Sequence, residues 1–199
     1  MSVIIESDLP IYYWVHRMSQ VHRIATYEWL LRNSRRFLLD TAVSTPEVAT
    51  FRWPRPDGFR DLAHARLLPV RQSMGQFLSA FPAPAIVHGL TAVDAAYGKG
   101  YAAEAAVLLE WARVRIAACR GTGAADGTTE FRTRAVPEGG TSSLELTFTY
   151  DDGRHFFWRG DFSRGSAYFE STIAGGRQTL PMTTGLLSTE AALGEAIFY

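Results

Sequence analysis

Cysteine, lysine and net charge are what this chain of 199 residues has least of. Cys119 is the one cysteine and Lys99 the one lysine, and twenty basic residues balance twenty acidic ones. A lone cysteine excludes an intrachain disulfide framework and a multi-cysteine metal cluster. Set late in an apolar stretch, Cys119 is expected to be a small buried thiol. A formal charge of zero leaves no global field to recruit a polyanion, an acidic substrate or a membrane surface, so nucleic acid is a disfavoured partner. No apolar run approaches the roughly 18 residues of a membrane-spanning helix. The opening MSVIIESDLP lacks the basic region of a secretory signal and carries Glu6 and Asp8, so the expected compartment is a reducing, bacterial cytoplasm.

What is present is a hydrophobic content of 47%, enough for one well-filled core. The expected organisation is a single α+β domain over 1–199, mainly helical over 1–120, with a β-meander over 128–174 and a terminal helix over 188–198. Nineteen of the twenty basic residues are arginine. A guanidinium fork suits planar anions, but arginine stands in for lysine everywhere along the chain, which reads as a compositional bias.

Ser7 and Asp8 offer oxygen atoms to free helix N–H groups and Pro10 suits a first turn, so a helix is expected to start there. Ile11, Trp14, Met18, Val21 and Ala25 recur at helical steps, and Ile24, Tyr27, Leu31 and Leu38 form a second stripe, extending the expected helix to about Leu39. Pro46, Pro54 and Pro56 mark a loop. Short helices are expected over Phe59–Leu68 and Val70–Phe81, with Pro69 between them. A brief segment, Leu90–Ala96, leads to a glycine pair, and Tyr101–Cys119 is apolar around most of its circumference, as a central helix would be.

Beyond GTGAADG the period changes to two. Leu144, Leu146, Phe148 and Tyr150 alternate with Glu145, Thr147 and Thr149; Asp151-Asp152-Gly153 turns the chain; Phe156, Trp158, Gly160 and Phe162 share the next face. Ser166–Ile173 follows as a further strand, and Glu130–Val136 is expected to be the first strand of the same meander. Helices followed by strands predict an N-terminal helical half packed on a C-terminal antiparallel four-stranded meander, with a closing helix over Thr189–Phe198.

Gly98-Lys99-Gly100 stands where a helix begins, and helix N-termini attract anions. It is not a P-loop, since no Ser or Thr follows Lys99. The segment VDAAYGKGYAAEAAVLLEW resembles the pyrophosphate loop and following helix of the GNAT-type N-acetyltransferases, which implies an acyl-CoA cofactor held by the loop amides. The resemblance covers residues 93–111, with Ala95 where that family carries arginine or glutamine three positions before the first glycine. A cleft between splayed parallel strands at the helix entrance would mark a nucleotide-binding loop, and a closed entrance would mark a structural hinge. The hinge is the favoured expectation.

Other constellations are incomplete. His16 and His22 are six apart, about 120° round a helix, and do not form an i, i+4 metal pair. Asp61 and His64 have the spacing of a hydrogen-bonded pair, and His88 stands alone. No serine occupies a G-x-S-x-G elbow and Cys119 has no assignable base. The Arg159-Gly160-Asp161 tripeptide lies within an expected strand, where it cannot act as an exposed adhesive loop. Arg17, Arg23, Arg32, Arg35 and Arg36, with Glu28 the one acid among them, give the expected first helix a basic face, and Glu28 has helix-pair spacing to Arg32.

With no catalytic residue, metal ligand or cofactor-binding residue to name, the leading expectation is a non-enzymatic protein-binding module, of the kind used in bacterial toxin neutralisation, secretion chaperoning or assembly. Its binding surface is expected on the sheet face opposite the aromatics, at Arg132, Arg134, His155, Phe157, Arg159, Asp161 and Tyr168. The alternatives are an acyl-CoA-dependent transferase using Gly98–Gly100 and a nucleic-acid binder using the arginine-rich first helix.

Overall fold

A computed structural model describes residues 10–15, 17–121, 129–136 and 143–199. In chain order it holds β1 (Tyr12–Val15), α1 (Glu28–Asn33), β2 (Arg36–Leu39), β3 (Phe59–Asp61), α2 (Leu62–Arg66), α3 (Leu68–Leu78), α4 (Ala83–Val87) and β4 (Leu90–Tyr97). Then come α5 (Ala102–Arg120), β5 (Glu130–Ala135), β6 (Ser143–Tyr150), β7 (His155–Asp161), β8 (Ser166–Ser171), β9 (Gln178–Thr183) and α6 (Thr189–Phe198). The fold is mixed α and β. Two compact units form: Met1–Arg66 together with Leu187–Tyr199, and Leu67–Leu186, which in sequence interrupts the first.

The first unit is built on a parallel sheet in the order β1-β2-β3. The central strand β2 is apolar on both faces, as parallel strands buried on both sides are. Phe37 and Leu39 pack with Ile24, Leu31 and Val48 on one side, and Leu38 packs with Leu62, Ala65, Ala192 and Ala196 on the other. Asp40, immediately after β2, takes both guanidinium nitrogens of Arg66, at 2.7 and 2.9 Å. Asp61 at the end of β3 accepts from the Thr41 hydroxyl at 2.7 Å, the Thr41 N–H at 3.1 Å and the Ala63 N–H at 3.0 Å. The closing helix expected over Thr189–Phe198 is present as α6, with Ser188 as its N-cap to Ala191 N–H at 3.3 Å.

The long helix expected up to Leu39 is replaced by strand, 3-10 turns, a six-residue helix and a second strand. Its proposed start at Ser7 and Asp8 lies outside the described residues. Tyr12-Tyr13-Trp14-Val15 and Arg36-Phe37-Leu38-Leu39 are rich in aromatic, β-branched or bulky apolar side chains that favour pleated backbone, and each finds a neighbour to pair with. The helical stripe was genuine only around Ile24 and Leu31. The helix α1 ends at Ser34, whose N–H and hydroxyl both return to the Leu30 carbonyl, at 2.8 and 2.6 Å. Phe59–Leu68 likewise opens as β3 before becoming α2.

The second unit is a six-stranded sheet in the order β5-β4-β6-β7-β8-β9. The expected four-stranded meander is corrected at both ends. The residues of β5 pair in parallel with β4 through the α5 crossover and do not join β6, while the fourth meander strand is β9. Pro181 and the lack of alternation hide β9 in the sequence, and an edge strand is where proline is tolerated. The core lies on one face, where Phe148, Phe156, Trp158 and Phe169 are almost wholly buried against α3, α4 and α5.

α5 runs as expected from the glycine loop, but it is not buried all round. Glu104, Ala105, Leu108, Leu109, Ala112 and Ile116 face inward, while Val114 is 56% exposed and Cys119 is exposed, not the buried thiol expected. Alanine counts as apolar in a sequence pattern but removes little area when buried, so an alanine-rich surface is tolerated in water.

Candidate functional site

Because side chains alternate along a strand, the aromatic core fixes which residues occupy the opposite face of the second unit's sheet. The register places Arg134, Ala96, Glu145, Arg159, Tyr168 and Pro181 in one row across all six strands. A second row runs Arg132, Asp94, Thr147, Phe157, Glu170 and Thr179. A third holds Glu130, Ala92, Thr149 and His155. Six of the seven residues singled out in the sequence stand in these rows, and Asp161, two positions beyond Arg159 on β7, shares their face. Arg132, Arg134 and Arg159 are exposed, and His155, Phe157, Asp161 and Tyr168 are half-buried.

Charge is arranged in local pairs. Arg132 forks onto Asp94, with Nε 2.9 Å from Oδ1 and Nη2 3.3 Å from Oδ2. Glu145 lies between two arginines, 3.8 Å from Arg134 and 3.6 Å from Arg159. Glu170 collects the His155 ring at 3.1 Å, the Tyr168 hydroxyl at 3.0 Å and Arg177 at 2.9 Å. Phe157 stands amid these groups with Thr147 and Glu170 as its cross-strand neighbours. Asp161 acts locally instead. Its carboxylate accepts from Ser163 N–H, Ser163 Oγ and Arg164 N–H, and so shapes the turn after β7.

The carboxyl of Glu170 is held below its ordinary range, chiefly by the hydrogen bond from Arg177 and then by those from His155 and Tyr168. A lowered folded-state pKa stabilises the fold above the unfolded-state value, and that contribution disappears as pH falls through the folded value. Glu170→Gln is therefore expected to flatten the acid limb: between about pH 5 and pH 3 its melting temperature falls less steeply than that of the wild type. Parallel melting curves for the two proteins would mean that the cluster is already solvated.

The Thr172 hydroxyl lies 3.3 Å from His155 Nδ1, which gives His155 and Glu170 the connectivity of a hydroxyl–imidazole–carboxylate relay. The hydroxyl also accepts the His155 backbone N–H at 2.9 Å. The three side chains thus knit the ends of β7 and β8 together, and nucleophilic chemistry would also need an oriented acyl site. Among the described residues no group of His, Cys, Asp and Glu is placed to hold a metal ion. None of the described helices is long and apolar enough to cross a membrane.

Sequence reasoning missed Asp94 and Arg177. Asp94 lies on β4, which was expected only as a lead into the glycine pair. Its alternation is faint because Ala92 and Ala96 share one face and Ala95 the other, so small residues mark neither side. Arg177 comes to the site from the β8–β9 turn and carries no local signal.

The glycine loop is a strand-to-helix turn: β4, which the sequence did not suggest, precedes α5, and β5, expected as a meander strand, follows it. β4 and β5 stay paired in parallel up to Tyr97 and Ala135, and the Val136 N–H reaches the Tyr97 carbonyl at 2.8 Å. The Gly98 N–H is taken by the Ser143 carbonyl at 2.9 Å. The strands are not splayed over the described residues, which favours the hinge. Gly100, at φ +90°, makes the turn that a residue with a side chain would resist.

The basic face expected on a first helix has no such helix to carry it. Arg23 lies in a 3-10 turn, Arg32 in α1 paired with Glu28 at 2.6 Å, and Arg36 in β2 with Nη1 3.2 Å from the Ala196 carbonyl. His16 lies outside the described residues. Asp61, considered as a partner for His64, accepts hydrogen bonds from Thr41 and Ala63. Compared with known proteins, the sequence matches no family model and no curated relative.

Proposed function

We propose that this chain is a non-enzymatic protein-binding module that docks its partner on the open face of the six-stranded sheet. One observation carries the reading: arginines, carboxylates and two aromatic side chains stand in register on a sheet face whose opposite side holds the core. Arginine and aromatic residues are the groups most enriched in protein interfaces, and Arg159 and Tyr168 are directly opposed across β7 and β8. Toxin neutralisation, secretion chaperoning and subunit assembly are the roles in which such a stoichiometric binder acts.

The test is copurification from the native host with the wild type and with Arg159→Glu. A single stoichiometric partner is expected, with affinity falling about tenfold or more in the variant, since reversal sets like charges against each other at the contact. The side chain of Arg159 is 46% exposed but faces Glu145 across the strands, so the melting temperature should fall modestly while the variant stays folded. Recovery of the chain alone under native conditions, or a complex indifferent to the substitution, would end this reading. An acyl-CoA role for Gly98–Gly100 is the weaker alternative, because the unsplayed β4–β5 pair leaves the loop next to continuous sheet.

A further inference from the structure

The helical side of the second unit has an open groove of about 470 Å³, across the sheet from the polar rows. Two helices flank it. Arg71, Gln72, Gly75 and Leu78 follow helical spacing along one side of α3, and Trp111, Ala112, Arg115, Ile116 and Cys119 do so along one side of α5. Phe148 of β6 forms the floor, with Phe81 and Ile86 beside it. On the α3 side, which also carries Arg71, Gln72 and Ser79, Gly75 leaves a gap, and a Cβ built on it would meet nothing within 4 Å.

A glycine in a helix interior lowers stability relative to alanine, so its position opposite a gap keeps the groove open at a cost. The lining contains two arginines and no carboxylate. Arg115 is exposed at the rim, and among the described residues no acidic side chain pairs with it. The groove is within the usual size range of small-molecule sites, about 300–1,000 Å³, and combines the expected apolar walls with few polar groups.

We infer that this groove binds a medium-chain carboxylate, with its hydrocarbon tail over Phe148 and Ile116 and its headgroup at Arg115. Apolar burial favours the tail and the planar guanidinium favours the carboxylate, so neither half alone explains the site. The inference concerns the side of the sheet opposite the proposed protein-binding face and does not depend on it.

Decanoate, kept below its aggregation concentration, is the probe, with decylammonium and decanol as matched controls. Titration calorimetry is expected to show saturable binding of one decanoate per chain, and both controls are expected to bind at least about tenfold more weakly. Cys119, as the single cysteine at the rim, reports without any substitution: saturation with decanoate should slow its reaction with a thiol reagent severalfold. Arg115→Glu should weaken binding about tenfold or more, and Gly75→Leu should abolish it by filling the groove without lowering the melting temperature. Absence of saturable binding, equal affinity for decylammonium, or undiminished binding in folded Gly75→Leu would overturn the assignment. So would self-association of the chain that Gly75→Leu abolishes, since the occupant would then be a second copy.

Discussion

Asp40→Ala is expected to destabilise the first unit by about 3–5 kcal/mol, the range for breaking a buried ion pair by removing one partner. The Asp40 and Arg66 side chains are only 12% and 13% exposed, and their two hydrogen bonds of 2.7 and 2.9 Å are parallel and charge-assisted. Removing the carboxylate leaves a guanidinium in a site built to neutralise it. It also removes the acceptor for the Ala42 N–H, at 3.0 Å, which caps the turn after β2. Hydrogen exchange at the β2 amides reads the loss within this unit. The double replacement Asp40→Leu with Arg66→Met should recover much of the stability, because a desolvated pair replaced by apolar groups of similar size is often neutral or better. A loss below about 1 kcal/mol in Asp40→Ala would instead assign the pair the worth of a solvated surface bridge.

The second large effect belongs to Trp158. Its side chain is fully buried among Phe148, Phe156 and Phe169, and truncation to alanine is expected to cost about 3–5 kcal/mol through lost burial and the cavity left behind. Two residues on along β7, a Cβ at Gly160 would come within 2.8 Å of Trp158 Cη2 and Cζ2 and within 3.3 Å of Phe162 Cε1. Gly160→Ala should therefore cost about 1–3 kcal/mol by overpacking. The two sites are coupled by contact, so Gly160→Ala should cost less in a Trp158→Leu background than alone. Denaturant titrations of the four proteins measure that coupling, and simple additivity would show that the ring does not fill the space above the glycine.

That glycine shows what in the fold was legible. Leu144 to Tyr150 alternates strictly, and Phe156, Trp158, Gly160 and Phe162 recur at every second position after the turn, broken only by Phe157. β6, β7 and the face assignment of His155, Phe157, Arg159 and Tyr168 follow from that alternation alone. α5 was equally plain from its length and composition. The failures share one cause: a residue set compatible with two periods is decided by a neighbour that the local sequence does not name. Tyr12–Val15 and Arg36–Leu39 are short, nearly continuous apolar runs that fit a helical stripe as well as a strand, and their mutual pairing selects the strand. Leu90–Tyr97 pairs with β5 on one side and β6 on the other, but its alanines carry little pattern of either kind. Arg132 and Arg134 were assigned to the right face by alternation, while their true neighbour Asp94 depended on that unseen strand.

The interrupted layout of the first unit bears on how the chain is made. Leu38, Leu62 and Ala65 complete their packing only with Ala192 and Ala196, from the far end of the sequence. On the ribosome the intervening segment, Leu67–Leu186, emerges in full before α6 does, so it can mature while the earlier residues still wait for their last layer. Until that segment is complete, Leu38 has Leu62 and Ala65 beside it but lacks the layer that Ala192 and Ala196 supply.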